Sequence, residues 1–229
     1  MLRTITLTAS AALLLGGCIP YPVGSTAETA PPRRPSTSVT AYAIPNGVRP
    51  PGADSSAAVS YMSADTEVRF GLSDVSDIGV RVPSGSGFIL NYKYRFAGGW
   101  NPPRLMWAVM PGAGVVNFGQ HAHAELSLLA SMPSESGSLT PYGGLRAMQV
   151  FPLSTSAVTD SPTLGGFAGL RIGSTDLGVS PELAVYYDRS ALDIRDNNVI
   201  FVPSLSVHGF DLLGYLFGGG GRWPFFSAP

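Results

Sequence analysis

Two histidines and a glutamate in the middle of the chain are the first residues whose types could support chemistry. His121, His123 and Glu125 are spaced two apart, so a β-strand would place all three on one face. Imidazole and carboxylate groups are zinc ligands. However, neighbouring positions on one face of a strand are about 7 Å apart, and no fourth ligand is identifiable. We therefore predict that these side chains line a polar interior, without a metal or a cofactor.

Ser206 and His208 form a second candidate group, again two residues apart on one predicted strand. A serine beside a histidine can act as a nucleophile with its general base. The pair is similar to that of outer-membrane barrel enzymes that remove acyl chains from lipid A. No third group that would orient the histidine can be assigned, and the sequence contains no nucleophile-elbow motif. Acyl hydrolysis therefore stays an alternative, and we predict no catalytic residue.

The single cysteine of the chain follows an apolar segment at the amino terminus. Arg3 supplies a positive charge, residues 5–15 are mostly apolar, and Gly16-Gly17-Cys18 comes next. This pattern resembles a bacterial lipoprotein signal peptide with its lipobox. The resemblance implies cleavage before Cys18, a diacylglycerol on its thiol and an acylated new amino terminus, which together would anchor the protein stably. The alternative is an ordinary secretory signal whose cysteine lies near the cleavage site by chance.

The residue after the cysteine helps to predict the membrane to which a lipoprotein is sorted. Many lipoproteins retained in the inner membrane of Gram-negative bacteria carry aspartate there, whereas this chain has Ile19. The resemblance therefore implies the outer membrane. We expect a lipid-anchored protein of that membrane with its amino terminus on the periplasmic side.

Composition divides the chain into four parts. Residues 1–17 are the predicted signal peptide, and residues 18–53 are rich in Pro, Ser and Thr, which predicts an extended tether. Residues 54–210 are the predicted β-barrel domain, and residues 211–229 form an apolar, Gly-rich tail. One segment of the tether, residues 39–44, has the composition of a short strand that could pair or dock.

Beyond the tether, hydrophobicity alternates with a period of two, which indicates β-strands. The alternation is cleanest over residues 88–96, where aromatic and aliphatic side chains occupy one face and Asn91, Lys93 and Arg95 lie on the other. About ten segments show this pattern, or eight if the weakest are omitted. They are residues 54–61, 66–72, 77–82, 86–96, 105–116, 121–132, 139–151, 163–172, 177–187 and 199–208. We predict an all-β, antiparallel, up-and-down barrel.

The polar faces of these strands carry charges of both signs. In a β-sandwich such residues would lie on the outer surface. In a small barrel they would fill the lumen as compensating pairs, while the apolar faces contact lipid. We predict Glu125, Arg146, Arg171 and Glu182 as lumen ion-pair residues.

The overall composition favours a barrel that faces lipid. The net charge of −1 argues against a nucleic-acid partner, for which a basic surplus is expected. Charged residues make up 13% of the chain, against about 25% in an average soluble domain. The 28 glycines are also more than the average share.

The lengths of the predicted connections suggest an orientation. If the chain enters from the periplasm, residues 152–162 and 189–198 are both extracellular, and the turns at 73–76 and 173–176 are periplasmic. Long extracellular loops and short periplasmic turns are typical of outer-membrane barrels.

Three segments carry a resemblance to a known group of proteins. Residues 68–74, 77–82 and 91–96, the last reading Asn-Tyr-Lys-Tyr-Arg-Phe, resemble the hairpins of small Gram-negative outer-membrane β-barrel proteins. The similarity covers roughly residues 57–210. Such barrels commonly end on an aromatic residue, and here Phe210 is followed by a further tail.

Together these observations predict a lipid-anchored outer-membrane barrel with a side-chain-filled lumen and a structural or surface-interaction role. Its partners would be membrane lipid and an unidentified molecule at the extracellular loops. The main alternative is a lipid-anchored soluble barrel that binds a small apolar ligand. The two differ in the position of one apolar face, because inward-pointing Phe88, Leu90, Tyr92 and Tyr94 would form a ligand cavity.

Overall fold

Ten β-strands form most of the described part of the protein. The structure, a computed structural model, describes residues 20–32, 34–48, 59–99, 104–133, 138–153, 161–173, 177–187 and 199–209. The strands are β1 (Pro35–Val48), β2 (Val59–Ser73), β3 (Ser76–Pro83), β4 (Phe88–Ala97), β5 (Met106–Val116), β6 (His121–Ser131), β7 (Leu139–Pro152), β8 (Thr163–Gly173), β9 (Leu177–Tyr187) and β10 (Val199–Gly209).

Each strand pairs with its neighbours in sequence, and the first strand also pairs with the last. Every pairing is antiparallel, so the sheet closes into an up-and-down barrel. Closure gives every strand two hydrogen-bonded neighbours and leaves no sheet edge. The predicted all-β barrel of ten strands is confirmed. Within the described ranges, no helix is long and apolar enough to cross a membrane.

The beginning of the barrel differs from the prediction. The segments 54–61 and 66–72, predicted as two strands, contribute to one long strand, β2. The first barrel strand is instead β1, which lies inside the predicted tether and contains the segment 39–44. The tether prediction is therefore wrong for β1, and the barrel begins at Pro35 rather than at residue 54.

The prolines of β1 explain this difference. Pro35 is the first residue of the strand, where the missing N–H is tolerated. Pro45 lies where the pairing with β2 shifts register, between Ile44 and Val48. The proline-rich composition therefore predicted a tether where there is a strand, because the prolines of β1 lie at positions where a strand tolerates them.

The side chains alternate between the lumen and the outer surface as the sequence predicts. In β4, Ile89, Asn91 and Lys93 are buried, and the aromatic and aliphatic residues between them are exposed. In β9 the alternation runs without interruption from Leu177 to Tyr187.

The two ends of the barrel differ in their connections. Because the strands alternate in direction, the connections 49–58, 153–162 and 188–198 all lie at one end, which we call the long-loop end. The connections 74–75, 98–105, 132–138 and 174–176 lie at the opposite, short-turn end, where β1 also begins. The long-loop end also has the two short turns 84–87 and 117–120. The predicted grouping of the two long late connections agrees with this topology.

The role of β1 in closing the barrel can be tested by Ala41→Pro. Ala41 is exposed on β1 and pairs with Leu205 of β10 and Ala64 of β2. Proline removes a ladder hydrogen bond from a strand that has neighbours on both sides. We expect loss of the folded, heat-modifiable species on electrophoresis without prior boiling. Ala41→Val, which keeps the N–H, is the control. A variant that folds like wild type would contradict the assignment of β1 to the closing seam.

Candidate functional site

The lumen of the barrel holds the chain's own amino-terminal segment. Residues 20–32, which we call the plug segment, run through the interior, and most of their side chains are buried. The chain then reaches β1 at Pro35 and becomes part of the wall. The tether prediction is thus also wrong for residues 20–32, because they are enclosed by the barrel.

The first residues of the plug segment lie in the half of the lumen nearer the long-loop end. The Tyr21 carbonyl accepts a hydrogen bond from Arg146 at 3.0 Å and one from the Tyr186 hydroxyl at 2.6 Å. The rings of Tyr21 and Tyr186 also pack together, with centroids 5.4 Å apart. Tyr186 is one residue from the end of β9 at the long loop 188–198.

Charged wall residues bind the backbone of the next three positions. Arg81 donates to the carbonyls of Pro22 at 3.2 Å and Val23 at 3.1 Å. In return, the carboxylate of Glu182 accepts the N–H groups of Val23 at 2.8 Å and Gly24 at 2.9 Å. Charge-assisted bonds of this kind are stronger than bonds between neutral groups, so they fix the position of the plug segment.

Lys93 binds the following turn of the plug segment. Its ammonium group donates to the Ser25 hydroxyl at 2.8 Å, the Thr26 carbonyl at 3.0 Å and the Glu28 carbonyl at 2.7 Å. These three acceptors satisfy all three donors of a lysine. The Glu28 carboxylate forms an ion pair with Arg171 of β8.

The last residues of the plug segment lie at the short-turn end. The N–H of Ala30 donates to Asp77 at 2.7 Å, and the Thr29 hydroxyl donates to the Asp74 carbonyl in the β2–β3 turn at 2.9 Å. Pro32 forms a parallel bridge with Gly71 near the end of β2. The plug segment therefore descends through the lumen from the long-loop half to the short-turn end.

Two networks of ionic groups connect the wall strands to one another. Arg69 pairs with Glu67 at 2.7 Å and with Asp77, and it donates to Asn91 at 2.6 Å. In the second network, Glu125 pairs with Arg146 and lies 2.9 Å from His123. Pairing and hydrogen bonding reduce the cost of burying each of these charges.

The predicted ion-pair residues divide into two groups. Glu125 and Arg146 contact each other. Arg171 pairs with Glu28, and Glu182 binds backbone N–H groups, so both residues hold the plug segment. Arg171 also donates to the Thr140 hydroxyl of β7 at 3.1 Å. The predicted lipidation residue, Cys18, lies outside the described residues, as do the signal peptide 1–17 and the tail 211–229.

The two groups considered for chemistry are not assembled as sites. Ser206 is buried in the lumen and shares a 2.8 Å hydrogen bond with Thr40 of β1. His208 lies 3.5 Å from Ser180 instead. Both side chains face the interior, away from the outer surface that acyl chains could reach. His123 contacts Glu125, and among the described residues no group of three His, Cys, Asp or Glu could hold a metal ion.

The plug segment fits closely against the wall. Gly24 has a φ of +59° and lies beside β1 and β10, where an added Cβ would come within 2.6 Å of the Ser206 hydroxyl and 2.9 Å of the Thr40 hydroxyl. A cavity of about 80 Å³ remains between the plug segment and the wall, with Lys93, Arg171 and His208 among its lining residues. That volume accommodates a few water molecules at most.

The outer surface of the strands is apolar, in contrast to the charged lumen. All charged side chains in the ten strands occupy inward-facing positions. They are Asp65, Glu67, Arg69, Asp77, Arg81, Lys93, Arg95, Glu125, Arg146, Arg171 and Glu182. The outward positions are mainly aliphatic and aromatic, and the residues that distinguish the two barrel hypotheses are among them. Phe88, Leu90, Tyr92 and Tyr94 are 54%, 48%, 41% and 43% exposed.

Two solved structures to which this chain is similar are only weak likenesses. Neisserial surface protein A is 14% identical over 78% of this chain and 97% of its own, with a TM-score of 0.38. The outer membrane protein OprG from Pseudomonas aeruginosa is 12% identical over 80% of this chain and 99% of its own, with a TM-score of 0.34. No family model and no curated protein sequence matches the chain. At these values neither structure defines a function for the chain.

Sequence reasoning missed the plug segment, although one signal was present. Residues 20–30 contain a single charged residue, Glu28, together with Tyr21, Val23 and several small residues. A solvated tether has little reason to exclude charge, whereas a segment enclosed in a barrel must limit it. The contacts themselves were not predictable, because most of them join charged wall residues to backbone groups of the plug segment.

The fit of the plug segment can be tested by comparing two glycine substitutions. Gly24→Ala adds a methyl group against Ser206 and Thr40, whereas the control, Gly85→Ala, has a similar φ of +66° with no atom within 4 Å of the added Cβ. Both carry the cost of a left-handed alanine, about 1 kcal/mol. Gly24→Ala carries an additional roughly 1–3 kcal/mol from overpacking. We expect a lower unfolding midpoint for Gly24→Ala in detergent. Equal midpoints would contradict the observed position of the plug segment.

Proposed function

We propose that this protein is an integral outer-membrane β-barrel whose lumen is closed by its own amino-terminal segment, with a structural or surface-interaction role. The observation that carries the proposal is the separation of charge and apolar surface. Charged side chains of the strands face the lumen, and the outward face is apolar. A lipid-facing barrel requires this arrangement, whereas the outside of a water-soluble barrel is normally rich in charge.

The cost of exposing the apolar outer face to water supports the membrane proposal. In water, the outward Leu, Val, Phe and Tyr side chains would form a continuous apolar surface far larger than soluble monomers normally expose. A lipid environment removes that cost. The soluble ligand-binding alternative also needs Phe88, Leu90, Tyr92 and Tyr94 inside the barrel, and all four are exposed on the outside.

The positions of the outward aromatic residues support the same reading. Aromatic side chains lie towards both ends of the strands, as in the girdles at the two interfaces of outer-membrane barrels. Those near the long-loop end are Phe88, Phe118, Phe151, Tyr187 and Phe201. Those near the short-turn end are Phe70, Tyr94, Phe96 and Trp107.

The filled lumen argues against a general pore. The plug segment and the ionic networks occupy the interior, and the cavity beside them is about 80 Å³. The role of the protein would therefore lie in its surfaces at the membrane interfaces. The connections 153–162 and 188–198 lie together at the long-loop end. Long loops are extracellular in barrels of this type, so we assign that end to the cell surface and these loops to partner contact.

Lipidation of Cys18 is part of the proposal. Its support is the lipobox pattern at the amino terminus together with its position directly before the plug segment. Acyl chains at Cys18 would add a second attachment to a domain that already spans the membrane. The lipid would then fix the amino terminus at one leaflet, and it would not be needed to hold the protein in the membrane.

An arginine placed on the outer face tests membrane insertion. Leu126 is central in β6 and 52% exposed. On a lipid face Leu126→Arg should cost about 2–4 kcal/mol of the free energy of unfolding in bilayers. On a water-exposed face the change would be within about 0.5 kcal/mol.

The control for this experiment is Phe118→Arg. Phe118 is 67% exposed in the turn 117–120 beyond the strand ends. Near the interface the cost of arginine falls to about 0–1 kcal/mol. A small and equal effect of both substitutions on denaturation in bilayers would refute the proposed lipid belt.

A further inference from the structure

The plug segment lies in the lumen without being part of the sheet. Residues 20–31 belong to no strand, and the bridge between the plug segment and the wall joins Pro32 to Gly71. The pairing of β1 with β10, which closes the barrel, starts at Thr37, beyond the plug segment. The sheet is therefore closed without a ladder hydrogen bond from residues 20–31, and the wall holds this segment as a binding site holds a ligand.

Most of the polar contacts between the plug segment and the wall use the main chain of the plug segment. Wall groups bind five of its carbonyls, those of Tyr21, Pro22, Val23, Thr26 and Glu28. They also bind four of its N–H groups, those of Val23, Gly24, Ala27 and Ala30. Main-chain groups are common to all peptides, so such bonds supply affinity that depends little on sequence.

The wall positions its own cationic groups before any peptide binds. Three cations that bind plug carbonyls each have a carboxylate partner on the adjacent strand. The pairs are Arg81 with Glu67 at 3.5 Å, Lys93 with Asp77 at 3.9 Å, and Arg146 with Glu125. These ion pairs lie within the wall, so they hold the cations in place independently of the plug segment. Preorganisation of this kind reduces the cost of binding.

Three residues of the plug segment determine which sequences fit. The ring of Tyr21 packs against Tyr186, and Ala27 is fully buried. Gly24 has a positive φ and lies against two wall hydroxyls. The fitting sequence therefore has an aromatic residue three positions before a glycine and a small residue three positions after it. It also carries few charges, since the single charge of residues 20–32, Glu28, is paired with Arg171.

We propose that the lumen is a binding site for an extended peptide segment of this chemistry from another chain, and that the plug segment occupies the site in cis. The plug segment then acts as a competitor that keeps the lumen closed until such a peptide displaces it. This inference goes beyond the proposed function, and it concerns the inside of the barrel only. It can therefore be tested in detergent micelles.

A full-length variant with a weakened plug segment provides the test. Gly24→Val places a β-branched residue in a left-handed conformation against the wall, and Glu28→Arg places like charges together at Arg171. The wall residues are unchanged. The probe is a synthetic peptide of residues 20–32 with a fluorophore at its carboxyl end, followed by anisotropy.

We expect saturable binding of this peptide to the Gly24→Val/Glu28→Arg chain. The wild-type chain should bind it at least about tenfold more weakly, because its own plug segment competes at an effective concentration of about millimolar. Binding to the wild-type chain that is as tight as to the double variant would show that the peptide does not use the site of the plug segment, and it overturns the inference.

Methylated peptides test recognition of the main chain. N-methylation at Val23 and Gly24 removes the two N–H groups that bind the Glu182 carboxylate. N-methylation at Thr29, whose N–H makes none of the contacts described above, is the control. We expect the first peptide to lose at least about tenfold in affinity, because bonds to a charged group are lost, and the control to bind like the unmodified peptide. Equal affinities of all three peptides overturn the inference.

The mobility shift on boiling shows whether the double variant is folded. A folded double variant without saturable binding overturns the inference. If the variant does not fold alone, it is refolded with each peptide present. Recovery of the heat-modifiable form with the unmodified peptide, and not with the peptide methylated at Val23 and Gly24, then supports the inference. Recovery with neither or with both of these peptides overturns it.

Discussion

Closure of the sheet by the pairing of β1 with β10 is the constraint on which the rest of the structure depends. The register runs from Thr37 opposite Gly209 to Tyr42 opposite Ser204. In a membrane every backbone N–H and C=O must find a partner within the protein, and closure achieves this without an exposed edge. The plug segment precedes β1, and its bonds to Glu182, Arg81 and Lys93 hold it inside the closed barrel.

The lumen illustrates how buried charge is accommodated. Five wall residues that would otherwise be costly to bury direct their charged groups at the backbone or side chains of the plug segment. They are Arg81, Lys93, Arg146, Arg171 and Glu182. The plug segment itself contributes one charged side chain, Glu28, and otherwise offers peptide dipoles. The main chain of the plug segment thus supplies most of the partners of these wall charges, and the outward positions of the described strands carry no charged side chain.

The sequence predicted the parts of the fold that depend on local periodicity. Alternation identified the strands from β3 to β10 and assigned Lys93, Glu125 and Glu182 to the correct face, because the pleat makes face a local property. It assigned β1 to a tether, because the prolines of that strand resemble a linker, and marked only residues 39–44 as a segment that could pair as a short strand. It also did not predict what the inward charges bind. The contact between Glu125 and Arg146 joins neighbouring strands, whereas Glu182 binds N–H groups 159 and 158 residues away, and such contacts leave no periodic signal.

The most direct test of the central claim is whether the barrel stays in the membrane without its predicted lipid anchor. Washed outer membranes from cells that express wild type and Cys18→Ala are extracted with alkaline carbonate. The pellets are then run on gels with and without boiling. If the barrel spans the membrane, the variant stays in the pellet and shifts mobility on boiling, as the wild type does. If the variant is fully released and still folded, lipid was the sole attachment, and the apolar outer face does not contact a bilayer.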